Sequence, residues 1–417
     1  MRITRLGARG DGVADTPDGA LFVPFALPGE LVALLPDGKE RALGRARIAA
    51  GENAIRDASP HRLKPFCPHF GFCGGCATQH MGEALYHAWK RDALVSALAG
   101  AGIDAPVGEL VDARGAGRRR VTFHGRLSDG AMQVGFMAAR SHDLVPIDVC
   151  PAAEPGLALA APAARTLTGA LRRSAKPLDI QVTATMNGLD VDLRGHGPLK
   201  PPQEAELIRL AAALDLARLS LHGQTLVERR PPHVAMGRAL VAPPPGGFLQ
   251  ATAAGEEILA RLVVEALTAS KRKIKRVADL FSGCGPFALR VAGIAGVHAV
   301  ENDAGAIAAL ERAARATQGL RAVTSERRDL FRRPLLAPEL NAFDAVILDP
   351  PRAGCEAQAR RIAESRVPLV VSVSCDAGSF ARDAAIMIAG GYRLESVTPV
   401  DQFAYTGHLE IVGVLRR

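Results

Sequence analysis

Apolar positions in the first 55 residues fall in short bursts, Leu21-Phe22-Val23 and Leu31-Val32-Ala33-Leu34-Leu35. The turn pairs Asp11-Gly12, Asp18-Gly19, Pro28-Gly29 and Asp37-Gly38 punctuate them. Bursts of that length between turn signals predict a small, OB-like antiparallel β-barrel over 1–55. A cysteine-bearing loop, Cys67 to Cys76, precedes a helical stretch from about Met81 to Leu98. From Arg118 to about Leu240, strand-like runs such as Val121-Thr122-Phe123 and Ile180-Gln181-Val182-Thr183 alternate irregularly with helical ones. Residues 56–245 therefore read as a central α+β domain, closed by the breaker Pro243-Pro244-Pro245-Gly246-Gly247.

Beyond that breaker the period changes. Residues 256–268 are helical, and Arg276 to Phe281 reads as a strand, followed by a glycine turn and a helical run through Ala295. Further apolar strands are expected at His298–Glu301, Phe343–Asp349, Leu369–Ser374 and His408–Val414. Apolar strands alternating with helices predict an α/β, doubly wound, mostly parallel, Rossmann-like sheet over 246–417. Ligands of such sheets sit beyond the carboxyl ends of the strands, so the polar residues there carry the interest.

Composition narrows the partners. In 417 residues, 51 basic side chains face 43 acidic ones, a net charge of +8, with a pI near 9.4. That balance favours a polyanion such as RNA, although only eight of the 51 are Lys, and an Arg-rich bias alone raises the charge. The chain begins without an apolar signal region, and no 18-residue apolar run occurs, so neither export nor a membrane span is expected. Seven cysteines then point to a reducing cytoplasm and to metal binding or catalysis over disulfides.

Asp279-Leu280-Phe281-Ser282-Gly283-Cys284-Gly285 leaves a strand and enters a helix, its glycines allowing a tight turn against a ligand. Glu301, ending the next strand, can accept hydrogen bonds from both ribose hydroxyls of an adenosine. Loop and acid together fit S-adenosylmethionine as well as NAD. The third glycine of a dinucleotide loop is missing, which favours the methyl donor. Asp349-Pro350-Pro351-Arg352 ends another strand, with Arg352 where base amino-methyltransferases carry a stacking aromatic.

Cys375 ends a buried strand just before a helix. The helix N-terminus would lower its pKa and the neighbouring Asp376 would raise it. A thiolate beside a methyl donor has a specific use: adding to carbon 6 of a pyrimidine, it turns carbon 5 into a nucleophile. A base must then remove the carbon 5 proton. Glu410 in the last strand is the better candidate and His408 the weaker. Separately, Cys67, Cys73, Cys76 and Cys150 form a four-thiolate set for zinc or an iron–sulfur cluster, with His69 and His80 as alternative zinc ligands. Cys284 and Cys355 lack partner spacing.

Together these residues resemble the bacterial RNA 5-methyluridine methyltransferase family, its 23S ribosomal RNA branch, over essentially the whole chain. The resemblance implies a class I methyltransferase domain at 246–417 and a TRAM-type RNA-binding barrel at 1–55. It implies a [4Fe–4S] cluster on Cys67, Cys73, Cys76 and Cys150, with a structural role. Gln250, in Phe248-Leu249-Gln250, matches the family's donor-site Phe-x-Gln; Phe281, Glu301, Asp329 and Asp349 match further donor-pocket positions. Cys375 matches the nucleophile and Glu410 the proton acceptor. Pro286, Cys355 and Ala377 depart from the family pattern without removing a reacting group.

The expected protein is a monomeric, cytoplasmic S-adenosylmethionine-dependent enzyme methylating carbon 5 of a uridine flipped out of structured RNA. Its Arg118-Arg119-Arg120 run would hold the RNA backbone. Relatives acting on transfer RNA usually lack barrel and cysteines, which favours ribosomal RNA over transfer RNA. The competing readings are a nucleotide-dependent iron–sulfur oxidoreductase and a non-catalytic RNA-binding module.

Overall fold

Consecutive residues of the C-terminal strands face opposite layers, and this decides the architecture. The computed structural model describes residues 1–35, 43–51, 53–128, 130–171 and 177–417; the Asp37-Gly38 turn pair lies outside them. Val277, Ile347 and Val371 pack into one apolar layer with Leu259, Val263 and Leu310. Their neighbours Ala278, Val346 and Val370 pack into the other, with Ala359, Phe380 and Leu94. Strands covered on both faces must be apolar throughout, and Ala345–Leu348 and Leu369–Ser374 are buried at every position.

The sheet has eight strands. In spatial order they are Val323–Arg327, Gly296–Glu301, Arg276–Leu280, Ala345–Leu348, Leu369–Ser374, Glu410–Arg416, Arg393–Asp401 and Val111–Asp112. The first five are mutually parallel. Glu410–Arg416 runs antiparallel between Leu369–Ser374 and Arg393–Asp401. Short polar side chains start the flanking helices: Thr252 Oγ1 accepts from Gly255 N at 2.8 Å, Asp303 Oδ1 from Ala306 N at 2.7 Å, and Asp376 Oδ1 from Ser379 N at 2.9 Å.

Several expected bounds move. The helical run through Ala295 contains only one α-helical turn, Ala288–Val291, because the double turn around Gly283 and Gly285 uses up its start. The strand expected through Phe281 stops at Leu280, where the backbone turns left-handed, and the final strand begins at Glu410, leaving His408 in a loop. Val323–Arg327, Arg393–Asp401 and Val111–Asp112 are strands that the apolar pattern did not mark.

The central region forms a seven-stranded sheet, whose longest strands are Arg120–Ser128, Leu178–Thr185, Ala131–Met137 and Gly188–Arg194. Helices Ala160–Leu171 and Pro201–Ala213 cover it. Packing crosses the sequence divide near 245. Helix Glu83–Gly100 buries Leu94 and Leu98 in the C-terminal layer, and Val111–Asp112 pairs with Val400–Asp401. The described residues of 1–56 surround a small core of Ile3, Ala14, Leu21, Val23, Ala26, Val32 and Ala46. Strands Arg5–Leu6, Gly12–Thr16 and Gly19–Val23 form its sheet, and the bridges Phe22–Arg45, Leu34–Ile48 and Arg2–Leu31 close the circuit. Among the described residues no helix is long and apolar enough to cross a membrane.

One buried ion pair ties helix Glu83–Gly100 to the loop preceding Glu410. Lys90 Nζ donates to Asp401 Oδ1 at 2.5 Å and to the His408 carbonyl at 2.8 Å, while Tyr86 Oη donates to Asp401 Oδ2 at 2.7 Å. The two charged side chains are 1% and 2% exposed, so neither charge is solvated without the other. Lys90→Met is therefore expected to cost about 3–5 kcal/mol of unfolding free energy, with part recovered in a Lys90→Met, Asp401→Asn double variant. Urea unfolding measures both, and a single-variant loss within about 0.5 kcal/mol, the range of ordinary surface substitutions, would contradict it.

Candidate active site

The register of the parallel strands sets their carboxyl ends in one row. Leu280 lies opposite Val300 and Leu348, and Glu301 opposite Arg327. Phe281, Glu301, Asp329, Asp349 and Cys375 therefore leave the sheet on the same side. Ser374 pairs with Ile411, so the next position on one strand and the preceding one on the other, Cys375 and Glu410, stand as neighbours at that edge.

Phe281 takes φ +63°, unusual for a side chain of its size. Its N–H donates to the Val300 carbonyl at 2.9 Å and its ring meets Phe331 at 5.4 Å. Gly283, at φ +51°, has open space where a Cβ would stand, whereas a Cβ on Gly285 would come within 2.4 Å of Leu310. Glu301 accepts from Gly283 N at 3.0 Å, Asn302 N at 2.6 Å and Asp303 N at 2.9 Å. Those donors fill three of a carboxylate's roughly four acceptor positions. Among the described residues these donors leave one acceptor position open, on Oε2. Asp329, next along the row, accepts from Phe331 N at 3.0 Å and so shapes the turn that presents Phe331.

Gln250 reaches the same edge from the loop before helix Ala253–Thr268. It is 2% exposed. Its Nε2 donates to Asp349 Oδ2 at 3.3 Å, and its Oε1 accepts from Gln402 Nε2 at 2.5 Å. Gln402 Nε2 also donates to Glu410 Oε1 at 3.0 Å. Sequence reasoning missed Gln402 and Asp279. Asp279 is fully buried, and both its carboxylate oxygens, like Ser282 Oγ, lack a hydrogen-bond partner among the described residues. An aspartate inside the apolar run Val277-Ala278-Asp279-Leu280 was the available signal.

Electrostatically the edge is acidic and dry. Burial, then Asp349 and Glu301, hold Asp279 well above the carboxylate range. Burial and Glu301 raise Asp349 to about 7. Burial and Asp349 raise Glu410 to about 8, against the hydrogen bond from Gln402. Burial pushes the Cys375 thiol to about 12, with Glu410 and Asp349 adding to it and Arg352 opposing. The contest between Asp376 and the helix N-terminus is not what sets this thiol. Asp376 is occupied in capping the helix, and burial dominates. The His408 ring packs edge-on against Phe403, and that partial desolvation, followed by Arg352, lowers its pKa.

The four cysteines share a cavity with Leu249, Ala251 and Phe403, the chain neighbours of Gln250 and Gln402. Cys67, Cys73, Cys76 and Cys150 line one cavity of about 380 Å³ with His69, Arg118, Arg120, Phe248 and Phe403. Cys73 pairs with Ala138, and a Cβ on Gly74 would come within 2.9 Å of the Met137 carbonyl, so the loop lies directly against the central sheet. Among the described residues no three His, Cys, Asp or Glu side chains form a set able to hold a metal ion. His80 is no alternative ligand here: it is buried beside Phe25 and Phe70. Cys284 and Cys355 are core residues. The arginine run also divides. Arg119 is buried against Glu256 and donates to the Gln250 carbonyl at 3.0 Å, so it does not face RNA, whereas Arg118 and Arg120 line the cysteine cavity.

The fold matches that of the Pyrococcus abyssi tRNA (uracil-54, C5)-methyltransferase, solved with S-adenosyl-L-homocysteine, at a TM-score of 0.73 and 20% identity, covering 100% of this chain and 99% of that one. A transfer-RNA enzyme thus shares the architecture, and barrel plus central domain do not by themselves distinguish ribosomal from transfer RNA. The family model described as tRNA (uracil-5-)-methyltransferase matches residues 246–417. A Brucella suis protein described as an uncharacterized RNA methyltransferase is 45% identical, over 100% of this chain and 97% of its own. The 23S rRNA (uracil(1939)-C(5))-methyltransferase RlmD of Chromohalobacter salexigens is 34% identical, over 100% of this chain and 89% of its own. With the row of strand-end carboxylates and Cys375 set beside Glu410, these relationships make the chain a member of the RNA uracil-C5 methyltransferase family.

Proposed function

We propose that this protein transfers a methyl group from S-adenosylmethionine to carbon 5 of a uridine in 23S ribosomal RNA, with Cys375 as nucleophile and Glu410 as base. The neighbouring placement of Cys375 and Glu410, at the sheet edge that also carries the glycine turn, carries this reading. The residues suit the donor. Unpartnered, buried Asp279 and Ser282 oxygens beside the turn, with Glu301 and Asp349 in the same row, favour a cationic ligand bearing hydroxyls. When bound, S-adenosylmethionine supplies an electrophilic methyl carried on sulfur.

Cys375 Sγ, as thiolate, adds to carbon 6 of the uracil. The electron pair of the 5,6 double bond moves to carbon 5 as an enolate, and carbon 5 would take the methyl as the methyl–sulfur bond breaks, its electron pair staying on the donor's sulfur as a neutral thioether. Glu410 then accepts the proton left on carbon 5. The released C–H pair re-forms the 5,6 double bond, the C6–S bond breaks, and its electrons return to Cys375 Sγ. Gln250 holds Asp349 and, through Gln402, Glu410. Ribosomal RNA as substrate rests on the whole-chain relationship to RlmD. The barrel, as a TRAM-type module, and the half-buried Arg118 and Arg120 would contact the RNA backbone.

The same reading assigns a [4Fe–4S] cluster to Cys67, Cys73, Cys76 and Cys150. Zinc would draw four sulfurs to about 2.3 Å from one point, and a cluster would spread its thiolates over four irons; what supports thiolate ligation is that all four cysteines line one cavity. Cys73 Sγ already accepts from Gly75 N at 3.4 Å, the kind of donor that tunes cluster sulfurs. No step above passes through the cluster; it would anchor the loop.

Radiolabelled donor with ribosomal RNA from a strain lacking this protein should place label on carbon 5 of one uridine, and Cys375→Ala should abolish it. Label entering only transfer RNA would reassign the substrate; no label in either would remove the enzyme reading. RNA bearing 5-fluorouridine at the target should form a stable covalent complex, since fluorine cannot leave as a proton.

The raised thiol gives a second test. Alkylation of Cys375 by iodoacetamide, followed by peptide mass spectrometry, should rise about tenfold per pH unit up to about 12. At a fixed pH above about 8, where Glu410 is ionised, Arg352→Ala removes the opposing cation and should slow it, and Glu410→Gln removes an anion and should speed it. The opposite order would overturn the electrostatic account. Protein purified without air should contain about four irons and absorb visible light; stoichiometric zinc would overturn the cluster.

A further inference from the structure

Gln402 stands at the junction of the donor pocket and the base, although nothing in the reaction requires an amide there. It is fully buried. Its orientation is fixed by its neighbours: Oε1 accepts from Thr252 N at 3.4 Å, so Nε2 must face the other way, and there it meets two acceptors, Gln250 Oε1 at 2.5 Å and Glu410 Oε1 at 3.0 Å. An amide nitrogen has two hydrogens, and both are committed. Gln250 is oriented in turn by donating to Asp349 Oδ2 at 3.3 Å. The donations therefore run outward from Gln402, through Gln250 to Asp349 on one side and directly to Glu410 on the other.

Only one oxygen of Glu410 takes part. Oε1 is held by Gln402, while Oε2 is buried with no hydrogen-bond partner among the described residues. A second feature makes room for this arrangement. Gly255 opens the helix beneath Gln402, and a Cβ there would come within 2.6 Å of Gln402 Oε1 and 2.7 Å of its Cβ. Neighbouring Asp401, pinned by Lys90 and Tyr86, fixes the backbone from which Gln402 projects.

We infer that Gln402 is a positioning residue that occupies Oε1 of Glu410, directs the uracil carbon 5 proton to Oε2, and keeps the base in register with Gln250 of the donor pocket. This rests on Glu410 being the base. Glu410, freed from Gln402, could rotate its carboxylate or be left with both oxygens unpartnered. Proton removal from carbon 5 would then slow more than thiolate addition, because addition does not use Glu410. The two steps report separately. Addition yields a covalent protein–RNA complex that survives denaturing electrophoresis, and proton removal releases it.

The test uses the full-length enzyme with its ordinary RNA substrate and donor. Gln402→Leu should lower kcat about tenfold or more and leave a methylated covalent complex accumulating, as Glu410→Gln should. Gly255→Ala, which displaces Gln402 without touching the site, should give the same accumulation more weakly, and Gln402→Met serves if the Leu variant does not fold. A purely structural role would instead reduce complex formation and turnover together. That result, or turnover unchanged in Gln402→Leu while Glu410→Gln accumulates the complex, would overturn the proposal alone. Normal turnover in Glu410→Gln would overturn the base reading and this proposal with it.

Discussion

The site exists because one strand runs the wrong way. In the parallel part of the sheet all carboxyl ends share an edge, so only residues that follow a strand can reach it. Glu410–Arg416 runs antiparallel beside Leu369–Ser374, and this brings a residue that begins a strand to the same edge. The pairing of Ser374 with Ile411 then makes Cys375 and Glu410 neighbours. Side chains alternate along a strand, so a slip of one residue would turn Glu410 into the opposite layer and separate it from Cys375. Apolar burial enforces the register: Ile411 and Leu415 fill one layer and Val412 the other.

The row of acids that follows is unfavourable in the free protein, and its character suits a cationic ligand. Asp279, Asp349 and Glu410 are all held above their ordinary pKa by burial and by one another. A bound positive charge would oppose those shifts and would lower the Cys375 thiol by the same mechanism. Without such a charge, burial and the neighbouring acids keep Cys375 as the thiol.

Much of this was legible along the chain. The apolar strands and the polar residues closing them gave the doubly wound sheet, the glycine turn and the places of Glu301, Asp349 and Cys375, because burial on both faces leaves an unmistakable pattern. Val323–Arg327 escaped because an edge strand need not be apolar: its residues are Val, Thr, Ser, Glu and Arg. Phe281 was read as strand because nothing local announces a left-handed phenylalanine; the turn imposes it. Gln250 came from family resemblance alone, and Gln402 could not be seen at all. An isolated glutamine acquires meaning only from partners 152 and 8 residues away. Arg119 was misjudged for the same reason, since Glu256, which buries it, lies 137 residues on.

The loop between Asp401 and Glu410 links the molecule's separate parts. Helix Glu83–Gly100 grips it through Lys90 and Tyr86, and the cysteine loop grips it again, Ala77 N donating to the Tyr405 carbonyl at 2.7 Å. Phe66, just before Cys67, adds an edge contact to the Tyr405 ring at 5.2 Å. Tyr405 itself is held at φ +62°, a strained backbone for a tyrosine that the surrounding bonds must maintain. The Lys90 and Ala77 bonds brace, at Asp401 and at Tyr405, the segment that joins Gln402 to Glu410, so the order of the cysteine loop bears directly on how those two side chains are held.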